Sequence, residues 1–425
     1  MINALIVFII MYAGMLLLPK WRLYFAMGGA AAMILLGILT PLSAIKAINL
    51  NVLMMIVGTM GIVTLFIDSK MPMRLADLIL QRSGNACNAI IALCVFSGLI
   101  SAFVDNVATV LMVAPVGVAV CRKLKTDPVP VIISIAVSSN LQGAATLVGD
   151  TTSILLGGYT GMSFVDFIWW KGRPSIFWAV ELGALGTVFI LKLLFKDQKS
   201  LINMQQLTPV EDYFPGILLL STVLALIIAS FYKIPFIDEY KNGIICIVLC
   251  IAGIIKCGFK TKSTEPVIRV IKNTDLSTVG MLCGLFIVIE GISEAGIIDR
   301  IAGFFTKIGG TNLFVLYTII VVVSVILSAF IDNIPYVAAM LPVVQKMAMG
   351  LGADPTVLYF GLLSGATLGG NITPFGASAN VAAIGILQKE GYEVHNRDFF
   401  RIGIPFTLTA VLIGYVVIWL IWNQY

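Results

Sequence analysis

The sequence predicts an all-α polytopic membrane protein of about ten crossings, built from two inverted-topology repeats. The chain is 59% hydrophobic and only 12% charged, which leaves too few charges to cover the surface of a soluble domain of 425 residues. Several apolar runs have the roughly 17–25 residues that span a bilayer core. The same order of segment types occurs twice along the chain, which indicates an internal repeat.

Composition and missing motifs exclude several functional classes. Lys and Arg give a net charge of +5, but they cluster in short loops, which is typical of membrane topology signals and not of nucleic-acid binding. The 7 Cys form no C-x-x-C pair, so neither a disulfide nor a metal site is predicted. No phosphate-binding loop and no zinc-protease or serine-hydrolase motif is present, so we expect no enzyme and no ATP-driven pump. The apolar start, Met1 to Leu18, is predicted to be a first span.

The first repeat is predicted to cover residues 1–196. It begins with spanning helices and an amphipathic helix at the membrane interface. A re-entrant helical hairpin follows, and then a discontinuous transmembrane helix, unwound where its sequence is small and polar. In order, the predicted segments are spans near 3–18, 23–40 and 50–67, the amphipathic helix 73–82, the hairpin 87–121, the broken helix 128–156 and a span near 175–195.

A polar linker, predicted to be cytoplasmic and to cover residues 197–212, leads into a second repeat over 213–425. The broken helices share letters, since Ala145-Thr146-Leu147 resembles Ala366-Thr367-Leu368. The second repeat is predicted to contain spans near 214–231, 243–258 and 276–290, a mixed segment 294–307, a hairpin 312–350, a broken helix 355–387 and a last span 402–423.

Each repeat then crosses the membrane an odd number of times, so the second repeat is predicted to be inverted. With this topology most of the 27 Lys and Arg lie on one face, which identifies that face as cytoplasmic. Both termini are then outside a cytoplasmic (inner) membrane that the chain crosses many times. Inverted repeats with broken helices are the architecture of secondary transporters.

Two polar pairs inside apolar, membrane-spanning sequence are the main indication of function. Asp105-Asn106 and Asp332-Asn333 occupy the middle of the two predicted hairpins. A carboxylate within a span costs about 2.5–3.5 kcal/mol on insertion scales, so it is retained where something uses it. Asp105 and Asp332 are therefore the first candidates for coupling residues, and Asn106 and Asn333 are candidate ligands at the hairpin tips.

Unwound carbonyls and side-chain oxygens suit Na⁺, and helix N-termini suit an anion. The alternative interpretation is that these polar side chains only cap helix ends inside the protein. A bound Na⁺ is predicted at Asp105, Asn106, Asp332 and Asn333. The other candidate ligands are Thr109, Asn140, Thr146, Asp150 and Thr151 in the first repeat, and Thr367, Asn371, Thr373, Ser378 and Asn380 in the second.

Two glutamates are candidates of second rank. Glu181 lies inside the apolar stretch Trp178–Gly183, so a buried partner or a role in proton transfer is expected. Glu290 ends a predicted span, as Asp68 does in the first repeat, and interfacial snorkelling accounts for both.

These motifs resemble the ion transporter superfamily, and more closely its ArsB/NhaD branch of arsenite permeases, sodium/proton antiporters and the pigmentation P protein. The resemblance covers nearly the whole chain. It implies two hairpins, an elevator-like motion, coupling to Na⁺ or H⁺, and the capacity to form a homodimer. The matching stretches are Asp105–Thr109, Gly143–Asp150, Asp332–Pro335 and Gly369–Asn380.

The resemblance favours a secondary active transporter for arsenite or another metalloid, or a Na⁺/H⁺ exchanger. The related citrate and dicarboxylate carriers have Ser-Asn-Thr at the hairpin tips, where this chain has Asp105-Asn106-Val107 and Asp332-Asn333-Ile334. Fixed carboxylates would repel a dicarboxylate, so coupled citrate or dicarboxylate uptake is the alternative, and a passive channel is a further one. The expected partners are membrane lipid and a small ion or small anion, with no nucleic acid.

Overall fold

The computed structural model describes residues 1–200, 207–233, 235, 237–310 and 312–423, and this part of the chain is almost entirely helical. One short antiparallel ladder pairs Trp169–Trp170 with Arg173–Pro174. The helices up to the linker are α1 Ile2–Leu17, α2 Arg22–Leu35, α3 Pro41–Ala47, α4 Leu50–Asp68, α5 Met71–Gln81, α6 Ala86–Ser101, α7 Asn106–Leu124, α8 Val129–Gly143, α9 Thr151–Thr160 and α10 Ile176–Phe195. Those after it are α11 Phe214–Ser230, α12 Lys241–Thr261, α13 Glu265–Asn273, α14 Leu276–Glu294, α15 Ile297–Gly309, α16 Leu313–Ser328, α17 Asn333–Leu351, α18 Thr356–Gly369, α19 Ser378–Lys389 and α20 Asn396–Trp422.

The two sets of helices follow the same order. In each set two helices are joined by a short turn, at residues 102–105 and 329–332, where the hairpins were predicted. In each set a helix then ends at a glycine-rich break, at residues 144–150 and 370–377, where the discontinuous helices were predicted. Asp105 and Asp332 begin the helices that leave the two turns, because their carboxylates accept from the first free backbone N–H groups.

Matched hydrogen bonds show which residues of the two sets correspond. The Thr146 hydroxyl donates to the carbonyl of Ala102, and the Thr373 hydroxyl donates to the carbonyl of Ala329, with a separation of 44 residues in both cases. The alignment of Ala145-Thr146-Leu147 with Ala366-Thr367-Leu368 is therefore wrong. The first of these triplets lies in a break and the second lies within α18, so the shared letters do not mark corresponding positions. The bond from the break to the turn is what both sets retain.

Seven helices of the described chain are long and apolar enough to cross a membrane, and up to eight spans result if the bent pair α15–α16 counts as one. Five of the seven (α4, α10, α12, α14 and α20) coincide with predicted crossings. The other two, α7 and α17, are arms of the predicted hairpins. The remaining predicted crossings are shorter helices, such as the 16 residues of α1, or helices divided by a break.

Several boundaries differ from the predicted ones. The span predicted at 23–40 ends at Leu35, because Gly37 adopts a left-handed φ of 67° and Thr40 caps a new helix at Pro41. This short helix, α3, and its counterpart α13 were not predicted. The last helix begins at Asn396, before the predicted residue 402.

The predicted linker is partly described, and its residues 201–206 lie outside the described residues. Its later part is bound to α5 and to the end of α4: the backbone N–H of Thr208 donates to Asp77 in α5, and that of Glu211 donates to the carbonyl of Ser69, directly after α4. Lys70 lowers the pKa of the Glu211 carboxyl, first through a hydrogen bond and then through its charge.

The packing divides the helices into two groups, each with members from both sets. Helices α2 and α4 pack against α14 and α12. Glycine permits this contact, since a Cβ on Gly58 would lie 2.5 Å from the carbonyl carbon of Cys246, and one on Gly284 would lie 2.5 Å from that of Ala26. The second group contains the hairpins, the broken helices, α10 and α20. The candidate site lies where the second group meets α4 and α14.

Candidate functional site

A cavity of about 390 Å³ lies between the two turns and the two breaks. Five helix N-termini face it, those of α7, α9, α14, α17 and α19. This arrangement brings the polar pairs of both sets to one place, although they are more than 200 residues apart in the chain. The polar lining residues are Thr64, Asp105, Asn106, Asn140, Asp150, Thr151, Asn273, Asp275, Thr278, Asn333 and Ser378.

Asp105 and Asn106 form the first turn at the cavity wall. The Asp105 carboxylate accepts from the backbone N–H of Val107 and Ala108, at 3.0 and 3.2 Å, and caps α7. The Oδ1 atom of Asn106 accepts from Ser101 at 2.9 Å. A Cβ on Gly143 would come within 2.6 Å of that Asn106 oxygen, so a glycine is required at the end of α8 for the turn to fit.

Asp150 connects the first break to the second turn. Its carboxylate accepts from the N–H of Thr151 and the hydroxyl of Thr152, both at 2.8 Å. The Asn333 amide also donates to it, at 3.4 Å. The residue is only 6% exposed, and its position in the second break is occupied by Ala377. The first break therefore adds a hydrogen-bonded carboxylate to the cavity wall, and the second break has no equivalent carboxylate.

Asn140, 1% exposed, has an orientation fixed by its neighbours. Its amide nitrogen donates to Asn371 Oδ1 at 2.7 Å and to Asn380 Oδ1 at 2.9 Å. Those two oxygens must face it, because the Asn371 and Asn380 amide nitrogens donate to backbone carbonyls. Asn140 Oδ1 is thus left buried without a donor, in a residue that lines the cavity. An unpaired buried acceptor is costly, which favours a bound ligand at this oxygen.

Asp332 differs from Asp105 although the two positions correspond. Its Oδ2 accepts from Arg22 Nη1 at 2.8 Å, and the side chains of the pair are 9% and 28% exposed. Ser378, on the cavity wall, also donates to Asp332, at 3.5 Å. In the described chain Asp105 has no salt bridge. One turn carboxylate is therefore neutralised by a fixed cation, and the other is left to interact with the cavity.

The charges around the cavity suit a cation. Asp105, Asp150 and Asp275 contribute carboxylates, and none of the described lining residues is Lys or Arg. Asp275 is exposed at the cavity mouth, where it caps α14 through the N–H of Thr278 at 3.0 Å. Among the described residues no group of three His, Cys, Asp or Glu side chains is placed to hold a metal ion. Unlike the other four N-termini at the cavity, that of α19 has no side-chain cap.

The remaining predicted site residues support the wall from behind. Thr109 donates to the carbonyl of Val104, and Thr367 contacts Thr152 at 3.4 Å. Thr146 and Thr373 hold the breaks to the turns, as described above. Asn371 and Asn380 orient Asn140. These side chains bond to neighbouring backbone or side-chain groups and are not among the residues that line the cavity, and their binding of an ion or a substrate stays a prediction.

Two charged residues of the site were not predicted. Arg22 is one of the Lys and Arg residues that were counted only as topology signals, and nothing in the sequence connects it to a residue 310 positions later. Asp275 was overlooked, although an Asp directly before an apolar run is a typical N-cap signal. The Asp-Leu-Ser-Thr stretch at 275–278 carried that signal.

Comparison with known families gives one match that extends over nearly the whole chain. A family model described as CitMHS, citrate transporter, matches residues 6–360 and 243–424. An uncharacterized transporter of Mycobacterium tuberculosis is 29% identical over 409 residues, which are 93% of this chain and 92% of that protein.

Two further similarities are more distant. The human P protein is 27% identical over 412 residues, 78% of this chain, and the chain spans about half of that protein, 48%. The structure of MtrF from Neisseria gonorrhoeae, described as illuminating a class of antimetabolite efflux pumps, is similar with a TM-score of 0.58 and 15% identity. The similarity covers 91% of this chain and 83% of MtrF, and at this identity it shows a shared fold.

Proposed function

The chain belongs to the CitMHS citrate transporter family and is a secondary transporter, and we propose that it moves a small ion or small molecule in exchange or symport with Na⁺ or H⁺. The resemblance to the ion transporter superfamily is thereby confirmed. The coupling ion, the substrate and the residues that bind them are our proposal.

The acidic cavity is the observation that carries the proposal. Asp105 and Asp150 face a space with no cationic lining residue, and Asn140 Oδ1 presents an unpaired acceptor in the same wall. A cation or a proton bound there would offset the carboxylate charge and use the free oxygen.

The same charges favour metalloid efflux or Na⁺/H⁺ exchange. Arsenous acid is uncharged near neutral pH, so it can enter between carboxylates without electrostatic cost. Na⁺ and H⁺ are attracted by them. Arsenous acid, Na⁺ and H⁺ are therefore all compatible with the negative charge of the cavity wall, without an accompanying ion.

The alternative is coupled uptake of citrate or a dicarboxylate, which the description of the matching family favours. A multiply charged anion beside Asp105 and Asp150 is repelled unless cations or protons enter with it. The uncapped N-terminus of α19 is the place in the wall where backbone N–H groups suit a carboxylate oxygen. Uptake of this kind therefore predicts a strong dependence on the accompanying cation.

For the transport cycle we propose an elevator-like alternating access. The helix pairs α6/α7 and α16/α17 would be re-entrant hairpins on opposite sides of the membrane, with about ten crossings in two inverted repeats and both termini outside. The division into two packing groups supports this, since the group with the turns and breaks could move against the group of α1–α4 and α11–α14. A homodimer would anchor the group of α1–α4 and α11–α14, against which the turns and breaks move.

Transport by purified protein in proteoliposomes tests the proposal. Vesicles with an imposed Na⁺ or pH gradient are assayed for release of arsenite, for Na⁺/H⁺ exchange with an internal pH dye, and for citrate or succinate uptake with and without a divalent cation. We expect flux of one of these substrates that follows the gradient. Asp105→Asn should abolish the gradient dependence, because the amide keeps the helix cap but cannot carry the ion's counter-charge.

Asp299→Asn is the matched control, because Asp299 forms an ion pair with Lys346 in which both side chains are about half exposed. Wild-type flux in both variants would contradict the proposal. A conductance that needs no gradient coupling, recorded in a planar bilayer, would instead identify a passive channel.

A further inference from the structure

A second cavity lies on the far side of α8 from the central one. It has a volume of about 90 Å³ between α6, α8, α10 and α20, its lining is mostly apolar, and Gln142 and Glu181 are its most polar lining residues. The Gln142 amide nitrogen donates to Glu181 Oε2 at 3.2 Å. Gly98 on α6 makes room for this pair, because a Cβ there would lie 2.9 Å from Gln142 Cγ. The central site uses neither residue.

The pair formed by Gln142 and Glu181 has one buried acceptor for which no donor is present. Gln142, 5% exposed, has its Oε1 atom buried without a donor. A deprotonated Glu181 has only acceptor oxygens and cannot supply one. A protonated Glu181 can donate its carboxyl hydrogen to Gln142 Oε1 while Oε2 accepts from the amide, so that both groups are satisfied.

The surroundings favour the neutral acid. From α6, the titratable group that faces the cavity is the thiol of Cys94; α8 contributes Ser138 and Gln142, and α20 contributes Phe406. Among the described lining residues there is no Lys, Arg or His. A carboxylate in a spanning helix without a cation is costly, and a proton removes that cost.

The position of the pair links it to the central cavity. Gln142 is followed directly by Gly143, the residue whose missing side chain admits Asn106. The carbonyl of Gly143 also accepts from Ser153 on the other side of the break, at 3.0 Å. A change in the bond between Gln142 and α10 is therefore transmitted to the end of α8 and to the first turn.

We propose that Glu181, held by Gln142, is a proton-binding site separate from the central cavity, and that it supplies a carried proton to the transport cycle. Only the second half of this assignment rests on the proposed function. Protonation at Glu181 itself is a property of the folded protein, and it can be measured without any transport substrate.

Infrared difference spectroscopy of the protein in liposomes tests this directly. Spectra recorded as the pH is raised should show loss of a protonated-carboxyl C=O band, and Glu181→Gln should remove that band. Glu290→Gln is the matched control at an exposed position and should leave the band in place. A second variant, Gln142→Met, should retain the band but shift its frequency, since the hydrogen-bond partner is lost.

A band that is the same in wild type and Glu181→Gln, or that does not change with pH, would overturn the proton site. Proton-to-substrate flux ratios then test its use, with a lower ratio expected in Glu181→Gln. If wild type carries no coupled flux while the Glu181 band is present, the proposed function fails and the proton site stands.

Discussion

Removing the charge of Asp332 should destabilise the protein more than removing that of Asp105, although the two residues occupy corresponding positions. Asp332 Oδ2 lies 2.8 Å from Arg22 Nη1, with 9% and 28% of the two side chains exposed. Asp105 has no salt bridge in the described chain. Asn keeps the oxygen that caps α7 or α17, so the two Asp→Asn variants differ mainly in the loss of the ion pair.

The expected magnitude follows from the geometry of this pair. A hydrogen bond to a charged group contributes about 1.5–3 kcal/mol, and the partial exposure of Arg22 places this one at the lower end. We therefore expect Asp332→Asn to lower the free energy of unfolding by about 1–2 kcal/mol. Asp105→Asn should change it by less than about 0.5 kcal/mol, because Asn and Asp are similar N-caps.

A double-mutant cycle measures the pair itself. Wild type, Asp332→Asn, Arg22→Met and the double variant are unfolded with increasing detergent denaturant and followed by circular dichroism. The free energy of unfolding should fall less in the double variant than the sum of the two single decreases, because the double variant contains no arginine that has lost its ion-pair partner. Additive losses, or equal stability of the Asp332→Asn and Asp105→Asn variants, would refute the assignment of Asp332 to an ion pair.

Other predictions concern the cavity wall and the second break. Asn140→Leu leaves two buried amide oxygens without a donor, at about 1–3 kcal/mol each, and should abolish ion-dependent thermal stabilisation by removing the unpaired oxygen. Gly376→Ala should cost about 1–3 kcal/mol, because the new Cβ would lie 2.7 Å from the carbonyl oxygen of Gly370. Gly385→Ala, on the helix α19 that follows the break, meets nothing within 4 Å and should instead stabilise α19 by up to about 1 kcal/mol. Equal unfolding midpoints for the two alanine variants would contradict the close approach at the second break.

The order of elements was predictable because it depends on local sequence. Apolar length indicated the spans, and an Asp-Asn pair inside apolar sequence indicated the turns that begin α7 and α17. The breaks were predictable as well, since runs of Gly and Thr do not continue a helix at membrane depth. The short helices α3 and α13 were not predicted, because their local signals are weak: α3 has a single capping residue before Pro41, and α13 has a proline in its first turn but no side-chain cap.

The different roles of the site residues were not predictable, because these roles depend on contacts between residues that are distant in the sequence. Sequence made Asp105 and Asp332 equivalent, and only the packing of α2 beside the second turn places Arg22 on one of them. From residue type and spacing alone, Thr146 and Thr373 cannot be told apart from ion ligands. In the structure their hydroxyls donate to carbonyls of the turns and so hold the breaks in place. Conversely, Asn140 Oδ1 has no donor because Asn371 and Asn380, which lie far along the chain, turn the Asn140 amide nitrogen toward their own side-chain oxygens.

Gradient-driven flux through two variants, compared side by side in the same vesicles, tests the central claim most directly. The double variant Arg22→Met with Asp332→Asn removes a neutral pair and should keep coupled transport. Asp105→Asn removes the carboxylate that the first turn contributes to the cavity, which has no ion pair in the described chain, and should lose it. Coupled flux that persists in Asp105→Asn and disappears in the double variant would contradict the claim that the Asp105 carboxylate binds the driving ion.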